Sequence, residues 1–313
     1  MENSKPLISV LLCVCNGERY LAESIDSIIN QTFENWEMIA IDDGSTDKTL
    51  GILRDYAKKD IRIKVYTQKN IGLTKSLNKS ISISSGKYLA RQDADDISIL
   101  NRFELQINEF KKDNKTILVT GRTEVVNIEG SHLIITSPPA NYREMKKTIF
   151  KLSNPFTHGS LMIKKSSLLK IHGYCEDFIS SQDFDMIIRL SKFGKYKVIN
   201  DIIYKLRKHP ESITVKRWKN RFKYSFMFSK TIKSNYKEYN RFYYLLKYNS
   251  ILFLKIITFG YISGKSYYYL YLGNLALINK NKSEAVRYFH LSAKKTFFFP
   301  YGWYKYFKTK YDY

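Results

Sequence analysis

Two short stretches of this chain bring carboxylates together in a way that could do chemistry: Asp42-Asp43-Gly44-Ser45-Thr46-Asp47 and Arg91-Gln92-Asp93-Ala94-Asp95-Asp96. An Asp-x-Asp pair offers a divalent ion two hard oxygen donors from one turn. It leaves the rest of the ion's shell to waters and substrate phosphates. Each stretch follows an apolar run of strand length, residues 36–41 and 88–90. Carboxylates just past strand ends lie at the crevice where open α/β sheets bind ligands. The combination points to a nucleotide diphosphate held through a metal. Either cluster alone could equally be a turn or a helix cap, because Asp, Ser and Thr also bond nearby backbone amides. Their recurrence at the ends of successive strands favours a site.

The elements that must position these residues alternate. Residues 7–14 are an apolar, β-branched run broken at Asn16-Gly17, and residues 18–30 carry Leu21, Ile25, Ile28 and Ile29 at helical spacing. Further strands are predicted at 36–41, 61–66 and 88–90, with helices at 49–57 and 73–84 between them. This order predicts an α/β fold with a mostly parallel sheet flanked by helices. After a helix at 101–111, strands are expected at 117–119, 124–128 and 133–136, before the break at Ser137-Pro138-Pro139. Residues 154–159 read as a loop and 160–163 as a strand. Residues 184–193 read as a helix whose Met186, Ile187, Leu190 and Phe193 share an apolar face. Beyond Val215 the pattern becomes basic, tyrosine-rich helix, with a helical hairpin expected at 269–278 and 283–293.

A length of 313 residues, with 44% hydrophobic and 26% charged residues, suits a globular chain and argues against wholesale disorder. The net charge of +23 is uneven. Residues 216–313 hold 20 Lys and Arg against Glu238, Glu284 and Asp312, a charge of +17 that leaves only +6 for the first 215. The same segment holds the clusters Phe242-Tyr243-Tyr244, Tyr267-Tyr268-Tyr269 and Phe297-Phe298-Phe299. Cations meeting headgroups, with amphipathic rings at the interface, suit an anionic membrane surface. Nucleic acid ranks below it, because no zinc-finger spacing, helix-turn-helix or ribonucleoprotein motif accompanies the charge. Residues 251–262 are the most apolar late stretch, but Lys255 interrupts them and they are too short to span a bilayer. Residues 1–5 are polar and lead into a strand, so no signal peptide is expected. Cys13, Cys15 and Cys175 lack metal-ligand spacing and are expected to be reduced, with Cys13 and Cys15 on one strand face.

In order along the chain, these stretches resemble glycosyltransferase family 2, of the type found in bacterial surface polysaccharide synthesis. Its members are inverting GT-A-fold enzymes that move a sugar from a nucleotide diphosphate to a hydroxyl. The resemblance runs from Ile8 to about Thr214. It is carried by Ser9-Val10, Asn16-Gly17-Glu18, Ser27-Ile28 and Gln31-Thr32, then by the Asp42 to Asp47 turn. Asn70, Gly72, Asn78 and Gly86-Lys87-Tyr88 lead into the Asp93-Ala94-Asp95 segment, and Arg102 and Gln106 follow it. Asn154-Pro155-Phe156-Thr157-His158-Gly159-Ser160, Ser181-Gln182-Asp183-Phe184-Asp185 and Arg189-Leu190 complete the series.

The resemblance implies a glycosyltransferase domain over 1–215, with a nucleotide-binding half at 1–115 and an acceptor half at 116–215. A helical, membrane-associating region follows at 216–313. By the same resemblance Asp43 bonds the base, Asp93 the ribose or diphosphate, and Asn16, Glu18 and Arg91 belong to the donor site. Asp95 would ligate Mn²⁺ or Mg²⁺, and His209 in Arg207-x-His209 would approach the metal or diphosphate. Asp183 matches the catalytic base. An inverting displacement independently asks for a base opposite the leaving group, and so for a carboxylate from outside the metal turn. The bland reading of Asp183 is a cap for the helix that follows. Two positions depart from the family pattern: Cys15 stands where many relatives have an aromatic residue, and Gln182 where they often have Glu.

The expected enzyme therefore takes a UDP-sugar as donor and a glycan or polyprenyl-diphosphate-linked glycan as acceptor. It works peripherally at the cytoplasmic face of the inner membrane, on an anionic surface, without nucleic acid. A nucleotidyltransferase, or a non-catalytic membrane-binding module, are the alternatives. Free UDP rather than pyrophosphate as product separates the first, and the intact set Asp93, Asp95 and Asp183 argues against the second.

Overall fold

A computed structural model describes residues 5–212, 220–237, 269–270, 272–274, 276–277, 281–294 and 309. The chain forms two compact units. One comprises Met1–Glu124, Ile135–Leu206 and Thr231–Tyr239, and the other Val125–Ile134, Arg207–Lys230 and Asn240–Tyr313.

The first unit opens with the expected alternation: β1 (Ile8–Val14), α1 (Leu21–Ile29), β2 (Trp36–Asp43), α2 (Thr49–Lys59), β3 (Ile63–Gln68), α3 (Leu73–Ile83) and β4 (Tyr88–Gln92). These four strands run parallel in the order β3-β2-β1-β4. Every residue of β1 and β2 is buried, as strands covered on both faces must be. Ile8, Val10 and Leu12 pack with Leu21, Ile25 and Ile28 of α1 and with Met38 and Ala40 of β2 in the central core. Glu37 is a buried charge in this region. Its carboxylate accepts from Ser9 Oγ (2.6 Å), the Ser85 amide (2.6 Å) and Lys64 Nζ (2.7 Å), which ties β1, β2, β3 and the approach to β4 together.

Past β4 the sheet continues through β5 (Ile97–Ser98), β6 (Thr116–Val126), β7 (His132–Thr136), β8 (Met162–Lys164) and β9 (Lys195–Arg207). The full order is β3-β2-β1-β4-β8-β6-β9-β5, with β7 beside β6. Here the ladders turn antiparallel, β8 lying between β4 and β6 and β5 pairing β9. The helices of this half are α4 (Arg102–Lys112), α5 (Tyr142–Phe150), α6 (Lys165–Lys170) and α7 (Gln182–Leu190).

The two strands expected at 117–119 and 124–128 are one strand, β6. Gly121 lies in its middle, where a Cβ would stand 2.8 Å from Ile203 Cγ1, so glycine lets β9 pack closely rather than ending the strand. The strand expected at 160–163 divides into a 3₁₀ turn, His158–Ser160, and β8. In the later part, α8 (Asn220–Asn235) and α9 (Lys282–Lys294) are helical as expected. The boundary expected near Lys216 and the stretch 251–262 lie outside the described residues. No helix among the described residues is long and apolar enough to cross a membrane.

Candidate active site

The loops leaving β1 and β2 are zipped together. Asn16, at φ +56°, donates its amide to Ser45 Oγ (2.9 Å) and accepts the Thr46 amide on Oδ1 (2.8 Å). The Gly17 amide meets Thr49 Oγ1 (2.8 Å) and the Glu18 amide meets Asp47 Oδ2 (3.1 Å), while Glu18 Oε2 accepts the Lys48 amide (2.9 Å). Asn16 and Glu18 thus fix the shape of the crevice rim. Asp47 also accepts the Thr49 amide on Oδ1 at 3.0 Å, so it steadies the start of α2 as well.

Asp43 ends β2, buried. Its Oδ1 accepts from Gln68 Nε2 (2.9 Å) and the Ile71 amide (3.0 Å), and its Oδ2 accepts from the Gly72 amide (2.9 Å). One carboxylate therefore holds the loop that enters α3. Gly44 follows at φ +73°, and a Cβ there would lie 2.7 Å from the Asn70 amide, so the turn passes only with glycine. Cys15 is exposed one residue beyond β1, where its Sγ accepts from Asn70 Nδ2 (3.1 Å). Cys13 is buried within β1, and Cys13, Cys15 and Cys175 are all unbridged. The face expected to be shared by Cys13 and Cys15 ends with the strand at Val14.

The Asp-x-Asp turn leaves β4 on a buried polar frame. Arg91 is buried; its Nη1 donates to the Leu11 carbonyl (2.9 Å) and its Nη2 to Asp93 Oδ1 (2.5 Å). Asp93 and Asp95 are both partly exposed. Beneath them Arg102, with no exposed surface, donates to Gln106 Oε1, Gln92 Oε1, Ser98 Oγ and the carbonyls of Arg91 and Leu161. Burial pushes its pKa down to about 10, so the guanidinium stays charged at neutral pH. Tyr204 of β9 lies 5.1 Å from that cation and accepts the Asp93 amide on its hydroxyl (3.2 Å). Ser24 Oγ bonds the Asp93 carbonyl (2.8 Å) from the side of α1. The turn is therefore set by α1, α4 and β9 together.

Asp183 lies in the first turn of α7. The cap position belongs to Ser181, at φ +60°, so Asp183 is not the N-cap of this helix. Its Oδ2 accepts from Asn154 Nδ2 at 2.5 Å. The segment before α7 is clamped onto α3: Asn78 bonds both the amide and the carbonyl of Tyr174, at 2.9 Å each, and Thr74 Oγ1 bonds the Phe178 carbonyl (2.6 Å). From inside α7, Arg189 pairs with Asp185 (2.7 Å) and donates to the carbonyls of Ile171 (2.6 Å) and Gly173 (2.9 Å).

His158 feels the charge of both carboxylate groups. Its Nε2 is 2.8 Å from the Tyr174 hydroxyl. Burial pushes the imidazole pKa down, while the charges of Asp183 and Asp93 push it up and that of Arg91 pushes it down. Tyr174 is raised chiefly by burial and feels Arg91, Asp183 and Asp93 as well. The charges of Asp93 and Asp183 both act on His158 and on Tyr174. His158 appeared in the sequence without a role, and Tyr174 carried no signal, since only folding sets it against a residue 16 positions away.

His209, expected near the metal, belongs to the second unit, whereas Asp93, Asp95 and Asp183 belong to the first. Among the described residues no group of three or more His, Cys, Asp or Glu side chains could hold a metal ion alone. The Asp93-Ala94-Asp95 turn offers oxygen donors only, with Asp93 Oδ1 already engaged by Arg91. Such a donor set fits Mg²⁺ or Mn²⁺ when substrate phosphates complete the shell.

The sequence model described as "Glycosyl transferase family 2" matches residues 9–171. An uncharacterized glycosyltransferase of Methanocaldococcus jannaschii is 33% identical over 266 residues, which is 83% of this chain and 90% of the relative. A chondroitin synthase of Escherichia coli is 29% identical over 212 residues, 68% of this chain but 30% of that longer protein. Among solved structures, TarS 1–349 of S. aureus in complex with UDP-GlcNAc superposes with a TM-score of 0.62 at 16% identity, covering 98% of this chain and 90% of that one.

Proposed function

The chain belongs to glycosyl transferase family 2, and we propose that this glycosyltransferase is metal-dependent and inverting, moving a sugar from a UDP-sugar to a hydroxyl of a glycan or lipid-linked glycan. The observation that carries the reading is the placement of Asp183. It comes from the opposite half of the domain to the Asp-x-Asp turn, yet its charge, like that of Asp93, acts on the hydrogen-bonded His158–Tyr174 pair.

The residues divide the work. Asn154 holds Oδ2 of Asp183, which leaves the other carboxylate oxygen to accept the proton of the attacking hydroxyl. Arg91 fixes Asp93, and the Arg102 frame fixes the turn, so the carboxylates need little rearrangement when the donor arrives. Asp95, with Asp93 beside it, would hold Mn²⁺ or Mg²⁺, which would supply positive charge to balance the departing diphosphate. Asp43 and Cys15 form the wall where the base would lie, with Asn16, Glu18 and Arg91 shaping the donor crevice. A relative named chondroitin synthase and a structural neighbour crystallised with UDP-GlcNAc make UDP-sugars and glycans the first substrates to test. The +17 charge of residues 216–313 supports a peripheral place on the anionic cytoplasmic face of the membrane, in surface polysaccharide synthesis.

A panel of UDP- and GDP-sugars, incubated with Mn²⁺, Mg²⁺ or a chelator, tests the proposal. Free UDP should form with one UDP-sugar and metal, and Asp95→Ala should abolish it while melting near the wild-type temperature. Pyrophosphate as product, or full activity of Asp95→Ala under chelation, overturns the reading.

A further inference from the structure

Within the first unit, a cavity of about 300 Å³ lies between α5 and the start of β9. Tyr142, Met145, Phe156, Lys195, Tyr196 and Lys197 line it. Its volume is at the small end of ligand sites, about the scale of a single ring with substituents. The aromatic walls are fixed. Phe156 and Tyr196 meet edge to face, with centroids 5.5 Å apart and planes at 81°. The Tyr196 hydroxyl donates to the Ile187 carbonyl of α7 at 2.9 Å. Tyr142, by contrast, is 53% exposed although its ring borders the cavity. Lys195 pairs with Asp113 at 2.9 Å, and no carboxylate is among the described residues that line the cavity.

Two hydrogen bonds join this cavity to Asp183. The Phe156 amide donates to Asn154 Oδ1 at 3.1 Å, and Asn154 Nδ2 donates to Asp183 Oδ2 at 2.5 Å. One asparagine therefore orients the carboxylate and anchors the aromatic wall. A pyranose has a weakly electropositive C–H face that lies against the negative face of an aromatic ring. Its hydroxyl rim bonds to ammonium and backbone groups.

We propose that this cavity binds a sugar ring of the acceptor glycan and so sets which hydroxyl reaches Asp183. The proposal rests on the reading of Asp183 as the base. With two lysines and no acid in the lining, the cavity accommodates a ring bearing a carboxylate or phosphate as well as a neutral one.

Saturation-transfer NMR of the full chain with lactose, chitobiose and a glucuronate-containing disaccharide is the test. At least one should receive saturation. Tyr142→Ala, a change at an exposed ring, should weaken that binding by roughly fivefold or more, the loss of one stacking surface. Ala140→Trp, at an exposed position of the lining, should fill the cavity and abolish it. Both variants should keep the thermal stabilisation that UDP with Mn²⁺ gives the wild type. If none of the three sugars binds, or either folded variant binds as well as the wild type, the acceptor cavity is wrong. If the sugars bind as expected but UDP with Mn²⁺ stabilises nothing, the donor reading fails instead.

Discussion

Asp183 has one carboxylate oxygen committed to Asn154, and the N-cap position of the helix it sits in belongs to Ser181. A capping role predicts that Asn would serve as well as Asp. A base role predicts that Asp183→Asn lowers kcat by about two to four orders of magnitude while UDP binding stays near normal. Steady-state turnover and UDP affinity of that variant, measured together, decide the matter, and survival of turnover excludes the base. His158 makes a second case. Its pKa is lowered, first by burial, so the folded state resists protonation that the unfolded chain accepts. Its contribution to stability is complete above the ordinary histidine value of about 6.5 and is lost as pH falls through the lowered value. Melting temperatures between pH 5 and 8 should fall more steeply on the acid side for wild type than for His158→Gln; identical profiles would remove His158 as the cause. At this scale the carboxylates were legible because residue type and spacing advertise them. The partners of Asn16, Glu18 and Asp43 were not, because the serine, threonine and amide groups that bind them carry no distinctive pattern.

The elements matter through the frame they give these side chains. Arg102 sits in the first turn of α4 and reaches β4, β5 and the residue before β8 with one fork of donors. Lys has a single ammonium with three donors and no fork. Arg102→Lys should therefore destabilise the chain by about 3 kcal/mol or more, the scale of breaking a buried charged network, and should reduce activity beyond the loss of folded protein. A urea midpoint within error of wild type would show that the frame tolerates a simpler cation. Alternation of strand and helix was readable up to β4, because buried parallel strands are nearly continuous apolar runs. Afterwards α4, β7 and α7 were still readable, whereas β6 was read as two strands and β9 and α5 were missed, for definite reasons. β6 contains Gly121-Arg122, which reads as a break but lets β9 approach. β9 interleaves lysines with Ile203 and Tyr204, both wholly buried, and β-propensity alone does not mark such a strand. α5 is a short basic helix whose clearest signal is local, the Asn141 side chain accepting the Glu144 amide at its start.

For the molecule as a whole the decisive feature is where its charge lies. The first 215 residues carry +6 and hold the carboxylates of the site, whereas residues 216–313 carry +17 among clustered tyrosines and phenylalanines. A glycosyltransferase needs no such excess for its chemistry, because a metal can balance the diphosphate. Anionic lipid is the partner proposed for it: each Lys or Arg near such a surface contributes about 1 kcal/mol, and salt screens this over about 10 Å at 0.1 M. Attachment through charge of this kind should be electrostatic and reversible. The full chain should sediment with vesicles containing phosphatidylglycerol, stay in solution with phosphatidylcholine alone, and be released as sodium chloride is raised from 0.05 to 0.5 M. The aromatic clusters refine the expectation. Rings at the interface add a salt-insensitive part, so release should be incomplete at a salt concentration that fully frees a simple lysine peptide of equal charge. Failure to bind vesicles of either composition would make the basic segment a folded part of the enzyme rather than its anchor. The source of the acceptor would then have to be sought in solution rather than at a membrane.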